Sequence, residues 1–225
     1  MTGTAPVICI DGPSGAGKGT LSKHLAAELG WHLLDSGALY RVVGFAGRLA
    51  SVSLEDSDGV AGIARSLDVA FRPTGDGVSV WLAGEDVTVN LRTEERGRDA
   101  STVAALPAVR EALLLRQQEL ARPPGLIADG RDMGTIVFPR APLKIFLTAS
   151  AEARAERRFR QLQGMGESVS LARLLIDIEQ RDARDQSRTV SPLVRAEDAI
   201  VIDSTALSAD EVLQAARDLA AARDL

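Results

Sequence analysis

Apolar positions along this chain alternate between short unbroken runs and helical spacing. Val7–Asp11 is apolar and β-branched until its last residue and closes on a glycine turn, which predicts a buried strand. Leu21, Leu25 and Leu29 then share one face of a helix predicted over Thr20–Leu29, with Gly30 as its stop. Trp31–Leu34 predicts a second strand ending at Asp35, so the chain opens as the start of a βαβ unit. Further buried strands are predicted at Leu126–Ala128, Leu143–Leu147 and Ala199–Ile202. Helical spacing returns over Val103–Leu120, where Pro107 must break or restart it, and over Ala151–Gln163, Leu171–Arg188 and Asp210–Ala222. Gly164-Met165-Gly166 predicts a joint between two of these helices.

The period changes between Leu67 and Asn90. Leu67, Val69 and Phe71 alternate with polar or small residues, Thr74-Gly75-Asp76-Gly77 is turn chemistry, and Val78, Val80 and Leu82 alternate again. Ala83-Gly84-Glu85-Asp86 predicts a second turn before a strand at Val87–Val89. The fold class that follows is α/β: a three-layer α/β/α domain around a parallel sheet of about five strands. Its core is predicted at 1–35, 103–150 and 190–225, with excursions at 36–102, carrying the small β-meander, and at 151–189, which is helical.

Composition narrows the picture. A chain of 225 residues that is 45% hydrophobic can bury a core of useful size as one domain with inserts. The single Cys9 excludes a disulfide framework and predicts a reducing, cytoplasmic setting. Val7–Ile10 is too short for a signal-peptide core or a membrane span, and Met1–Pro6 carries no Lys or Arg, so no membrane association is expected. A net charge of −5 argues against nucleic acid as a partner. Arginine is nevertheless concentrated at Arg154, Arg157, Arg158 and Arg160 and again at Arg181, Arg184 and Arg188, a pattern of local anion sites.

Gly12-Pro13-Ser14-Gly15-Ala16-Gly17-Lys18-Gly19-Thr20 lies between the first strand and the first helix. There, backbone N–H groups and the positive end of the helix can hold a phosphate. The spacing is that of the P-loop, with Lys18 set to meet the β- and γ-phosphates. Gly19 stands where Ser or Thr is usual, and the hydroxyl arrives one position later, at Thr20. A dinucleotide-binding reading, suggested by Asp35 at the end of the second strand, fails because the third glycine of that fingerprint is missing.

Two more segments follow predicted strands and so fall on the same sheet edge as the loop: Asp35-Ser36-Gly37 with Tyr40 and Arg41, and Asp129-Gly130-Arg131-Asp132. Asp129 is placed to orient Mg²⁺ through water, and Arg131 can fork onto a phosphate. Taken together, Ile10–Thr20, Leu34–Arg41 and Ala128–Thr135 resemble the bacterial cytidylate kinases, and Arg181–Arg188 matches that family's R-D-x-x-D-x-x-R element. The resemblance runs from the first strand to the last helix and includes the β-rich insert.

It implies an ATP-dependent CMP or dCMP kinase requiring Mg²⁺, mostly monomeric in this family, with 36–102 binding the acceptor and 151–189 forming a lid over ATP. Gly12–Thr20 and Arg157 would hold ATP, and Lys18, Arg131, Asp129 and Arg158 would serve catalysis, with Thr20 and Asp129 on the metal side. Ser36, Tyr40, Arg41 and Arg131 would hold the acceptor phosphate. Ser101, Arg110, Asp132 and Arg188 would read cytosine, and Arg181 and Asp185 the ribose hydroxyls. His24 and His32 lie in or just after the first helix and are expected to be structural or exposed, so no general base stands near the loop. A nucleotide 5′-phosphate needs none, being largely dianionic at neutral pH. Two other readings stay open: a P-loop kinase for another small acceptor, and a GTP-dependent switch, although the N-K-x-D run of guanine readers does not occur.

Overall fold

The computed structural model describes residues 5–74, 77–164, 166–188 and 190–225. Met1–Thr4 of the expected N-terminal stretch, Gly75 and Asp76 of the expected turn, Met165 of the expected joint, and Thr189 lie outside the described residues. In chain order the elements are β1 (Val7–Asp11), α1 (Lys18–Leu29), β2 (His32–Asp35), α2 (Ser36–Leu49), α3 (Ser57–Arg65), β3 (Val69–Thr74), β4 (Gly77–Leu82) and β5 (Glu85–Asp86). They continue with α4 (Glu94–Val103), α5 (Pro107–Gln118), β6 (Leu126–Gly130), β7 (Leu143–Thr148), α6 (Ala151–Gly164), α7 (Leu171–Gln186), β8 (Ile200–Asp203) and α8 (Ala209–Ala221). The chain divides into two compact units, one of residues 1–34 with 120–225 and one of residues 35–119.

The first unit is built on a five-stranded sheet of order β2-β6-β1-β7-β8, in which β1 pairs in parallel with β6 and β7, and β7 with β8. β1 is buried along its whole length, as its unbroken apolar run requires of a central parallel strand. Ile8, Ile10, Leu25, Ile127, Ile145 and Leu147 form the core together with Val212, Leu213 and Ala216 of α8. That last helix starts on a capping box: the Glu211 amide donates to Ser208 Oγ at 3.2 Å and the Ser208 amide to Glu211 Oε2 at 2.8 Å. Among the described residues no helix is long and apolar enough to cross a membrane.

The second unit departs from the predicted pattern in several places. Two helices, α2 and α3, occupy a region where the apolar spacing predicts none. Pro107 does restart a helix: it is the first residue of α5, which belongs with this unit and not with the core expected over 103–150. The third meander strand is Glu85–Asp86 and not Val87–Val89. Ala83 (φ 49°) and Gly84 (φ 83°) make a two-residue turn that pairs Leu82 with Glu85 at once. Thr88 Oγ1 then accepts from the Val80 amide at 2.8 Å, closing the ladder, and Val87 turns into the core with Leu39, Val43, Leu91 and Val103.

Candidate active site

Because β1 pairs with β6, Asp11 lying beside Gly130, the glycine loop after β1 and the Asp129–Asp132 turn after β6 emerge next to each other on one sheet edge. The loop is seated tightly. A Cβ on Gly12, where φ is +146°, would lie 1.9 Å from the carbonyl oxygen of Leu147 on the neighbouring β7. Gly12→Ala is therefore expected to destabilise the fold by about 3 kcal/mol, read as a lower denaturation midpoint. An unchanged midpoint would contradict this seating.

Lys18 is buried and its Nζ donates to the Pro13 carbonyl at 2.9 Å, so the ammonium lies folded against the loop. Burial, then the nearby Arg131 guanidinium, pulls it from 10.5 down to about 8, with Asp129 acting in the opposite direction. Asp129 Oδ2 sits 3.6 Å from the position a Cβ on Gly19 would take, which brings that carboxylate against the first turn of α1. Gly15, Gly17, Gly19 and Thr20 are exposed, leaving that face of the loop open.

Asp11, which the motif reading passes over, holds the two turns in place. Its carboxylate accepts from the Met133 and Gly134 amides at 2.9 and 2.8 Å, linking the end of β1 to the π-helical turn Met133–Val137. Burial pushes this carboxyl up to about 6 even though both amides oppose it.

Arg131 Nε donates to Asp185 Oδ2 at 3.0 Å, and Arg188 donates to the other oxygen of the same carboxylate. Asp185 is 1% exposed. Burial alone would raise its pKa, but the Arg131 and Arg188 guanidiniums outweigh that and hold the carboxyl below its usual range. The residue expected on ribose hydroxyls is thus engaged with two of the expected ligand arginines. Arg181 sits one turn earlier on α7 and is half-buried, and Asp132 is buried.

The arginines of α6, expected to belong to a lid, are placed unequally. Arg154 is buried: it pairs with Asp182 of α7 and donates to the Ser14 carbonyl of the loop at 3.1 Å. Arg157 donates to Ser204 Oγ at 3.0 Å and to the Ser204 carbonyl. Arg158 donates to Gln161 Oε1 at 2.6 Å, and Arg160 pairs with Glu156 on the exposed face. His24 and His32 are both exposed, as expected.

In the second unit, Ser36 opens α2 after Asp35, whose side chain accepts from the Ala38 amide at 2.9 Å and caps the helix. Arg41 donates to the Leu91 carbonyl at 2.9 Å. The Arg110 guanidinium lies 5.6 Å from the Tyr40 ring centroid and donates to the Ala104 carbonyl at 3.2 Å, which brings α2 and α5 together at these two residues. Ser101 Oγ is buried with no hydrogen-bond partner among the described residues, a position that suits a ligand polar group. Asp99, which the sequence reading misses, pairs with Arg48 and Arg96 at 2.8 and 2.7 Å and supports the helix that carries Ser101.

The oxygen donors beside the loop fit Mg²⁺. Thr20 and Asp129 are hard ligands, and among the described residues no cluster of His, Cys, Asp and Glu forms a metal cage of its own. The metal would be carried chiefly by phosphates and water.

A family model described as cytidylate kinase matches residues 8–222. The cytidylate kinase of Aeromonas hydrophila is 58% identical over 213 residues, covering 95% of this chain and 93% of that protein. Those of Pectobacterium carotovorum (56% over 225 residues, 100% and 99% covered) and Salmonella choleraesuis (57% over 216 residues, 96% and 95% covered) are similar. With the P-loop, the Arg131 turn and the α7 arginines all inside the matched span, the chain belongs to the cytidylate kinase family.

Proposed function

We propose that this chain transfers the γ-phosphoryl group of ATP to CMP or dCMP, giving ADP and CDP or dCDP, with Mg²⁺ required. The observation that carries the reading is the emergence of Arg131 beside the Lys18 loop, held there by the buried Asp185 carboxylate. A phosphate cradle and a fixed arginine side by side suit two phosphorylated substrates meeting end to end.

In this reading the loop amides of Gly12–Thr20 and the Lys18 ammonium bind the ATP phosphates, and Arg157 and Arg158 approach from α6. Of the acceptor residues, Arg131, Ser36, Tyr40 and Arg41 would serve the phosphate, Asp132, Arg188, Ser101 and Arg110 cytosine, and Arg181 and Asp185 the ribose. Cytosine presents an amino donor beside ring acceptors, which a carboxylate, a hydroxyl and arginines can match. Segment 36–102 acts as the acceptor-binding region and 151–189 as the lid. Mg²⁺ held by Thr20, by Asp129 through water and by the phosphates would neutralise charge on the transferred group.

No residue has to remove a proton, since the acceptor phosphate has a second pKa near ~6 and is already a nucleophile at pH 7. The protein's work is in-line positioning and offsetting the repulsion between two polyanions, which Lys18 and Arg131 are placed to do. Water exclusion by the lid keeps ATP from being hydrolysed. The protein acts as a monomer on small molecules, without nucleic acid or membrane, in the cytoplasm, where the buried Cys9 thiol stays reduced.

The test is an ADP-release assay across CMP, dCMP, UMP, AMP, GMP and shikimate. CMP and dCMP should exceed the others in kcat/KM by about 10²-fold or more, since a site built to hydrogen-bond one base leaves polar groups unpaired with another. Preference for any other acceptor overturns the reading.

A further inference from the structure

In a trans peptide the C=O and the following N–H point in opposite directions. A carbonyl pulled outward from a loop therefore turns the next amide inward. In the glycine loop two carbonyls are held from outside by side chains of the same unit. The Ser14 carbonyl accepts from Arg154 Nη1 at 3.1 Å, and the Ala16 carbonyl from Ser204 Oγ at 3.0 Å. The amides that follow belong to Gly15 and Gly17, whose φ values of +80° and +98° allow the alternating peptide orientations such a cradle needs.

Neither anchor is incidental. Ser204, at the end of β8, is 2% exposed. Its hydroxyl lies 3.0 Å from both the Ala16 and Thr148 carbonyls, and the Thr148 carbonyl also accepts the Ser204 amide at 2.8 Å. The Thr148 carbonyl therefore keeps a donor when the hydroxyl proton turns to Ala16, and Arg157 donates to the same hydroxyl oxygen from the other side. Arg154 is 4% exposed and is held on its other side by Asp182 of α7, one turn before Asp185.

We propose that Ser204 and Arg154 are positioning residues of the phosphate cradle: by holding the Ala16 and Ser14 carbonyls outward, they turn the Gly17 and Gly15 amides toward the ATP phosphates. Arg154 is then a strut under the loop, and the Asp182 and Asp185 carboxylates make α7 the support of both the donor cradle and the acceptor arginine Arg131. The inference rests on the proposal that ATP binds at this loop, but not on which acceptor is used.

The experiment measures ATP binding by calorimetry with no acceptor present, alongside thermal unfolding without nucleotide. Ser204→Ala should weaken ATP binding about tenfold with an unchanged unfolding midpoint, because the side chain lost is small and the Ser204 carbonyl still receives Arg157. Arg154→Gln combined with Asp182→Asn leaves no buried charge unpaired and should show the same loss. ATP affinity that holds in both variants, or that falls only in step with a lowered midpoint, overturns the proposal. Wild-type protein that binds ATP but does not phosphorylate CMP would instead overturn the proposed function and leave this inference standing.

Discussion

Lys18→Ala is expected to lower kcat by about 10³-fold or more while CMP still binds with nearly unchanged affinity. The ammonium is the fixed charge of the loop, and nothing else among the described residues of α1 can take its place beside Asp129 and Arg131. Burial disfavours the charge that the substitution removes, and thermal melting separates loss of fold from loss of catalysis. A lysine whose pKa falls from 10.5 to about 8 on folding binds protons less well in the native state. Stability therefore rises as pH climbs from about 8 to 10.5, and below 8 the buried ammonium costs the native state. At pH 7 the alanine variant should unfold no earlier than the wild type, checked by thermal melting. Turnover within about tenfold of wild type would remove Lys18 from the mechanism.

Asp185→Asn should have the second-largest effect, and on the other substrate. The carboxylate accepts from both Arg131 and Arg188, and an amide must present its NH₂ to one of them. Turning an amide NH₂ toward a guanidinium and removing the negative charge between the two arginines is expected to lower kcat/KM for CMP by about 10²-fold and stability by about 3 kcal/mol, with ATP affinity held. The pH dependence has a definite sign. A carboxyl held below its usual value of 3.8 stabilises the fold above that pH, and the stabilisation is lost as pH falls through its lowered native value. The variant lacks this acid-side decline. Unchanged kinetics for CMP, measured with ATP saturating, would show that Arg131 does not depend on Asp185.

The parallel sheet was legible because its strands are buried on both faces and so read as unbroken apolar runs: β1, β6 and β7 fall where Val7–Asp11, Leu126–Ala128 and Leu143–Leu147 predict them. The glycine loop and the Arg131 turn were legible because phosphate chemistry fixes residue types at fixed spacing. α2 was not. Its sequence carries Gly37, Gly44 and Gly47 with Val42 and Val43, which weaken any helical signal. Packing bears on two of these glycines: a Cβ on Gly47 would lie 2.8 Å from Leu54 Cδ2, and one on Gly44 3.0 Å from the Asp99 Cβ on α4, so at Gly44 what reads as a helix breaker is a close helix–helix contact.

The supports of the site were the least legible part. Asp11, Asp182 and Ser204 act on groups that are far away in sequence: Asp11 reaches the amides of Met133 and Gly134, and Ser204 the carbonyl of Ala16. Periodicity and motif spacing record local geometry only, and a hydrogen bond spanning more than a hundred residues leaves no local trace. Asp182 had the best available signal, being one helical turn from Asp185 on the same face of α7.

The central claim is the transfer of one phosphoryl group from ATP to a cytidine nucleotide. Incubation with Mg²⁺, γ-labelled ATP and CMP, followed by separation of the nucleotides, tests it directly. The account predicts label in the β-position of CDP, one for each ADP formed, and none when CMP is omitted. Label released as inorganic phosphate at the same rate with and without CMP would contradict it.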